Sequence, residues 1–403
     1  MTSKKRYQKP VGLNGAKKRF EVQDIMEMYG DYFLENQPAS LDQKKVMRHI
    51  RACRTARLGG HLEACNECGH ERNAYNSCRN RHCPKCQTLV KEKWLSARKA
   101  ELLPTGYFHN VFTLDHMLNP IILCNREVCF KILFASVNET LKAFAKDKQW
   151  RLVGQIGFIA VLHTWNQLLL DHFHLHCLIP AGVLTFDKKK WQGAPKERYL
   201  FRITSLAKEF KKRYLNKLKL AYTNKELIFP GKTKRFGTQK AFQQLIDRAF
   251  MKTWIAYTKR PFGGPEQVLE YLGRYTHRVA ISNNRILAVD NGKVTFSYRD
   301  RKDNDTLKEK TVPADEFIRR FLLHVLPGGF MKIRYYGFLA RTNKKWSIPL
   351  LRKLIDPTAK MPEKIVENIQ EMYLRLTGVD ITCCPKCKKG RMVFVKNLPS
   401  PYG

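Results

Sequence analysis

The run His172-Phe173-His174-Leu175-His176 sets three imidazoles at alternate positions in a segment rich in aromatic and aliphatic residues. On an extended strand, residues i, i+2 and i+4 share a face, so the three rings point the same way while Leu175 and Cys177 turn into the sheet packing. Imidazoles on a rigid strand can hold a divalent ion and leave positions open for phosphate oxygens. A third protein ligand is needed. His172, His163 at the end of the preceding strand, Gln267 and Glu270 are the candidates, and spacing does not choose among them.

A second pattern lies about a hundred residues on. Gly264-Pro265 reads as a turn with proline at a helix N1 position. Tyr271 and Tyr275 follow, four apart and hence on one helical face, with Cβ atoms ~5–6 Å apart. Alone, such a pair is usually a packing stripe. Beside a metal-polarised phosphodiester, a tyrosine hydroxyl is a nucleophile that keeps the 5′ phosphate and frees a 3′ hydroxyl. Two of them could serve two strand transfers without releasing the strand. Arg274 and His277 flank the pair and could steady a phosphate.

Nine of the twelve cysteines fall in two clusters, Cys53–Cys86 and Cys383–Cys387. Cys65-x2-Cys68 and Cys83-x2-Cys86 give four thiolates at the spacing of a tetrahedral structural zinc site. Cys53, His61, Cys78 and His82 are left over nearby and could form a second site, with Cys78 and His82 four apart. Cys383, Cys384 and Cys387 form a lone knuckle that either borrows a ligand, belongs to a degenerate ribbon or binds nothing. Arginines surround the ligands, Arg79 and Arg81 among them, as suits phosphate contacts.

The elements that must position these residues follow from pattern. Residues 21–37 have apolar positions at Val22, Ile25, Met26, Tyr29 and Phe33, a helical period. Tyr107–Leu114, Gln155–His163 and Phe173–Ile179 read as strands, with a helix over Ile121–Phe144 between the first two. Short strands follow Arg278, with Asp290-Asn291-Gly292 as a hairpin turn. The order suggests an α+β chain in three parts. These are a helical and zinc-binding N-terminus (1–100, zinc core 53–87), a catalytic part (101–346) and a helical tail with the CPKC knuckle (347–403).

Charge narrows the partner. The 403 residues carry 74 Lys+Arg against 35 Asp+Glu, a formal net charge of +39. That excess far exceeds the magnitude of ~2–8 that solubility asks of a small domain, and it points to a polyanion. Apolar runs such as Ile156–Leu162 fall short of the ~18 residues a spanning helix needs. The N-terminus MTSKKRYQKP has no apolar stretch behind its charges, so no secretory signal is expected, nor a disulfide framework. Segment 188–260 carries 21 Lys+Arg against 4 Asp+Glu, a net +17. It is expected to form helices with basic faces and a groove for a single strand beside the histidines and tyrosines.

Taken in order, these motifs resemble the rolling-circle transposases of the HUH endonuclease superfamily. The likeness is to the two-tyrosine class and, within it, to the bacterial insertion-sequence ninety-one family. The matching stretches are LGGHLEACNECGHERNAYNSCRNRHCPKCQ (58–87), YFHNVFTLDH (107–116), VLHTWNQLLLDHFHLHCLIPAG (161–182), KRPFGGPEQVLEYLGRYTHRVAISNNRI (259–286) and FIRRFLLHVLPGGFMKIRYYGFLA (317–340). The resemblance covers roughly 45–390. It implies a small antiparallel sheet with the histidine strand central, flanking helices, and the tyrosines on an adjacent helix. His174 and His176 fall on the family's histidine-hydrophobic-histidine motif, and Tyr271 and Tyr275 on its two nucleophiles. Mg²⁺ or Mn²⁺ at the histidines, structural Zn²⁺, and single-stranded and transposon-end DNA as partners are implied with them. So is action in the bacterial cytoplasm, at the nucleoid, without membrane attachment. Arg79, Arg81, Lys259, Arg260 and Arg274 are the candidate phosphate contacts. A plasmid replication initiator or relaxase would use the same chemistry on another target, and a non-catalytic zinc-dependent DNA-binding regulator would use none of it.

Overall fold

The computed structural model describes residues 19–195, 200–259, 273, 279–300, 302–360 and 366–401. Two helices come first, α1 (Val22–Asn36) and α2 (Leu41–Ala52). α1 buries Val22, Ile25, Met26 and Phe33 on one face, the period its sequence predicts. α2 starts at Ser40, whose side chain accepts from the Gln43 amide while Gln43 reaches back, a reciprocal cap. The hairpin β1 (Gly60–Cys65) and β2 (Glu71–Tyr75) follows, then α3 (Pro84–Lys99), with Cys83 as N-cap and Pro84 at the first helical position.

The central sheet is built from β3 (Tyr107–Thr113), β4 (Phe158–Trp165), β5 (Asp171–Pro180), β8 (Ala256–Lys259) and β12 (Ile333–Tyr336). Its order is β12-β4-β5-β3-β8, every pair antiparallel, so β5 is the middle strand of five. The single helix expected over 121–144 is two, α4 (Asn119–Cys124) and α5 (Arg126–Phe144). The break falls at buried Asn125, whose amide hydrogen-bonds the Ile121 carbonyl and both backbone groups of Ile228. A side chain spent on tethering a distant loop competes with helix continuity.

After β6 (Gly182–Leu184) and β7 (Trp191–Gly193) come α6 (Ile203–Thr223) and α7 (Gln239–Met251). These basic helices pack their apolar stripes, Phe210, Tyr214, Leu218 and Phe242, into one core with Phe112, Leu175 and Cys177. That is the sheet face opposite the histidines. The groove expected beside the histidines is therefore corrected: among the described residues, α6 and α7 cover the back of the sheet. Their amphipathic pattern commits them to whichever face offers the larger apolar surface, and β5 turns Phe173, Leu175 and Cys177 that way. On the histidine face, Leu95 of α3 joins Val161, Leu178 and Leu351 in a separate cluster.

A third sheet, β9 (Ile286–Asp290), β10 (Lys293–Asp300) and β11 (Thr306–Pro313), closes with α8 (Ala314–Leu322) on α1 and α2. Asn291 and Gly292 both adopt positive φ (47° and 72°), the twist-matched turn expected of Asp-Asn-Gly. The tail supplies α9 (Lys344–Ile355), α10 (Ile369–Thr377) and β13 (Met392–Leu398). β13 pairs antiparallel with β1, giving the sheet β13-β1-β2, so the two ends of the chain share a sheet. Among the described residues no helix is long and apolar enough to cross a membrane.

His324, just past α8, is buried beneath β4. Its Nε2–H donates to the Leu169 carbonyl (3.0 Å) and its Nδ1 pairs with the Thr164 hydroxyl (3.2 Å). Burial pushes its pKa down to about 4. The unfolded chain accepts that proton near ~6.5, so this contribution to stability is whole above ~6.5 and is lost as pH falls toward 4. In urea titrations the wild-type midpoint should drop between about pH 7 and about pH 5, and His324→Gln should shrink that drop. Equal drops in both proteins would clear His324 of the effect.

Candidate active site and metal centres

His174 and His176 lie on the middle strand, and His163 is the cross-strand partner of His174 on β4. All three are buried, and one ring nitrogen of each lies within 4.8 Å of the others. The ladder shifts register between His163 and Trp165, so that Trp165 pairs with Asp171. Such an irregularity re-aims a side chain at the end of a strand. The His163 ring stacks on Trp165 with centroids 5.0 Å apart.

The proton arrangement decides what the trio can hold. His174 Nδ1–H donates to the His172 carbonyl (2.8 Å), because a carbonyl can only accept. The neutral His174 ring therefore turns an Nε2 lone pair toward His176 Nε2, 3.0 Å away. His176 Nδ1 in turn lies 2.8 Å from His109 Nε2. Two arrangements satisfy this chain. With His176 protonated at Nε2, that N–H points at His174. With His176 protonated at Nδ1, the N–H donates to His109, and two Nε2 lone pairs converge on one point that only a cation can occupy. His109 is thus placed to select the metal-binding tautomer, the role an outer hydrogen-bond partner plays at histidine metal sites. Its sequence signal was faint: one imidazole within the apolar strand Tyr107–Leu114, where a buried ring needs a partner.

Of the third-ligand candidates, the structure brings His163 to the pair. His172 faces His116 instead, Nδ1 to Nε2 at 3.3 Å with rings stacked. Gln267, Tyr271, Arg274, Tyr275 and Arg260 lie outside the described residues, as do Glu270 and His277. Gly273, between the two tyrosines in sequence, is helical and buried, and a Cβ built on it would lie 2.7 Å from Leu95 Cδ1.

The cysteines divide differently from the sequence reading. The site expected from Cys65, Cys68, Cys83 and Cys86 is corrected, as is the second set of Cys53, His61, Cys78 and His82. The clusters are Cys53, Cys78, Cys83 and Cys86, and Cys65, Cys68, Cys384 and Cys387. The hairpin is the reason. Cys65 and Cys68 sit at its turn, whereas Cys53 and Cys78 flank its open end, where Gly60 pairs with Tyr75. Five residues of strand, ~17 Å, separate the two ends.

In the first cluster Cys86 Sγ lies 3.6 Å from Cys53 Sγ and 3.7 Å from Cys78 Sγ. A tetrahedral zinc with Zn–S of about 2.3 Å has edges of about 3.8 Å. Hydrogen bonding among the four thiols pushes Cys53 and Cys86 down and Cys78 and Cys83 up, so it is the spacing of the sulfurs that fits a metal. His61 instead meets Glu63 (3.2 Å) on β1. Half-buried His82, its pKa pushed down to about 3 by desolvation, accepts at Nε2 from the Leu326 amide. Arg81 donates to the carbonyls of Phe330 and Pro327, so its fork fastens that loop rather than facing solvent. Arg79 is exposed. The backbone of Lys259 pairs with His109 across β3 and β8.

Comparison with known proteins agrees with this anatomy. Residues 25–114 match the family described as "Transposase zinc-binding domain", and residues 157–346 the one described as "Putative transposase". The protein named "Putative transposase y4qJ" from Sinorhizobium fredii is 43% identical over 379 residues, 93% of this chain and 95% of that one. "Transposase for insertion sequence element IS801" from Pseudomonas savastanoi pv. phaseolicola is 27% identical over 301 residues, 73% of this chain and 70% of that one. No solved structure matches.

The Gly273–Leu95 approach makes a direct test of how the stretch carrying the tyrosines is seated. Gly273→Ala should crowd Leu95 and cost about 1–3 kcal/mol in chemical unfolding, and Leu95→Ala in the same chain should return part of that loss. Strict additivity of the two changes would show that the residues do not touch.

Proposed function

Since the chain belongs to the insertion-sequence ninety-one family of transposases, with a zinc-binding domain in its N-terminal part, we propose that it nicks and joins single-stranded DNA at transposon ends through a 5′-phosphotyrosine. Transposases act on DNA, and a net charge of +39 suits that partner. The observation that carries the finer reading is the buried trio His163, His174 and His176, with its two Nε2 atoms 3.0 Å apart.

The donor set fits a divalent ion. His163, His174 and His176 would hold it, and three imidazoles favour Mn²⁺ over the harder Mg²⁺. Bound there, the ion supplies positive charge that polarises a scissile phosphate and orients it. The rest falls to the chain's own groups. Tyr271 Oη attacks phosphorus, the P–O3′ bond breaks, the phenol gives up its proton and the departing 3′ oxygen gains one. Tyr275 serves the second transfer, and a 3′ hydroxyl later attacks the phosphotyrosine to rejoin the strand. His109 Nε2 accepts a hydrogen bond from His176 Nδ1–H, which turns the His176 Nε2 lone pair toward His174. Arg79, Lys259, Arg260 and Arg274 are the proposed phosphate contacts. Cys53, Cys78, Cys83 and Cys86 are the proposed ligands of a structural zinc. The parts 1–100, 101–346 and 347–403 are the proposed units of helical and zinc-binding, catalytic and tail function, and the bacterial nucleoid is the proposed place of action.

Incubation with single-stranded DNA carrying element ends and Mn²⁺ or Mg²⁺ should yield a covalent protein–DNA adduct on denaturing gels. His174→Ala should abolish it while DNA binding persists. Complete absence of adduct from wild type with every divalent ion would sink the nicking reading. Tyr271→Phe with full adduct yield would hand the first attack to Tyr275. In Mn²⁺ titrations, His163→Ala should weaken apparent metal affinity more than about tenfold, and His109→Phe by about 10–100-fold. His172→Ala should stay close to wild type, and a large loss there would put His172 back among the ligands.

A further inference from the structure

The cluster at the hairpin turn lies only half within the matched zinc-binding domain: Cys65 and Cys68 fall inside residues 25–114, Cys384 and Cys387 far outside. We propose that these four cysteines hold a second zinc ion, independent of the first, that clasps the C-terminal tail to the N-terminal hairpin. The proposal does not depend on the strand-nicking chemistry.

Four observations carry it. Cys65 Sγ lies 3.7 Å from Cys387 Sγ, and Cys68 Sγ lies 3.7 Å from Cys384 Sγ. That is close to the ~3.8 Å edge of a zinc tetrathiolate and far from the ~2.05 Å of a disulfide. The sulfurs also have amide donors aimed at them. Glu67 and Cys68 N–H groups donate to Cys65 Sγ (3.4 and 3.5 Å), and Gly390 N–H donates to Cys387 Sγ (3.3 Å). Such donors stabilise thiolate ligands and orient them. Backbone approach is close as well: a Cβ on Gly390 would lie 2.4 Å from Cys65 Sγ, so a side chain there would displace the ligand. Cys383, the neighbour, faces away toward the Lys388 carbonyl (3.5 Å) and is no part of the set.

The fourth observation is how small an apolar core lies beneath the β1–β13 ladder that seats the tail. Strand pairing sets Met392 opposite Cys65 and brings the two knuckles together. Yet among the described residues the buried apolar cluster at this end is Cys65, Cys384 and Met392, with half-buried Cys387 against it. Along β13, Val393, Phe394 and Val395 are 46%, 60% and 47% exposed. So small a core does not hold a strand in place unaided; small scaffolds of this kind rely on a metal or a disulfide. The clasp joins residues 322 apart in sequence, Cys65 and Cys387. The first cluster, at the other end of the hairpin, shares no ligand with it.

Metal content and hydrogen exchange on the full chain test the clasp. Wild type should contain two zinc ions per chain, and Cys384→Ser with Cys387→Ser should leave one. In that variant the amides of β13 should exchange at least about tenfold faster, while those of β4 and β5 keep their rates. Gly390→Val retains every ligand and should also lose one zinc. Should the double variant fold poorly, a chelator titration of wild type gives the same information, because β13 exchange should rise in step with loss of one of the two equivalents. One zinc in wild type, two in the double variant, or unchanged β13 exchange after both equivalents are removed would each overturn the proposal.

Discussion

Strand β5 has to satisfy two environments with one alternating sequence. Phe173, Leu175 and Cys177 point into a core of aromatic side chains contributed by α5 and α6, while His174 and His176 point to the opposite face. Rings buried at that depth are costly unless each polar nitrogen finds a partner. The His172 carbonyl and His109 supply partners for the Nδ1 atoms, and both Nε2 atoms are left to face each other. The neighbouring strands follow from this requirement. β4 brings His163 opposite His174, and β3 places His109 within reach of His176.

The zinc module is connected to that face mechanically. Cys83 caps α3, and Cys86 lies in its first turn, so the first cysteine cluster holds the start of the helix. Further along the same helix, Leu95 packs with Val161 and Leu178 on the histidine side of the sheet, and Gly273 comes up against it. One helix thus runs from the first cysteine cluster to the histidine face of the sheet. The hairpin β1–β2 acts as a spacer in the other direction, with one cluster at each end.

Charge proves a poor guide to place. The excess in segment 188–260 pointed to a nucleic-acid groove at the histidines, but α6 and α7 lie over the back of the sheet. Part of their charge is neutralised locally: Arg213 meets Glu139 and Glu209, and Lys217 also meets Glu139. Composition reports the kind of partner. The position of a basic helix is set by its apolar stripe, since burying that stripe outweighs the screened attraction of surface charges.

Periodicities were readable from the residues alone. Alternation around His174, the helical period of α1, the Asn-Gly turn after β9 and the paired cysteine knuckles all express local geometry, which a short stretch of chain carries within itself. The middle position of the histidine strand came with the family resemblance and is the one observed. Partnership across long separations was not readable. Spacing matched Cys65 and Cys68 with Cys83 and Cys86, yet two short strands between them set the pairs about 17 Å apart and brought Cys384 and Cys387 in from the far end of the chain. That His163 and not His172 joins the pair in space depended likewise on cross-strand register, and the His109 contact on its reach to a ring 67 positions away. The sequence by itself determined which residues share a face of an element. Only the tertiary structure decided which faces meet, because strand pairing and core burial select among contacts that are indistinguishable along the chain.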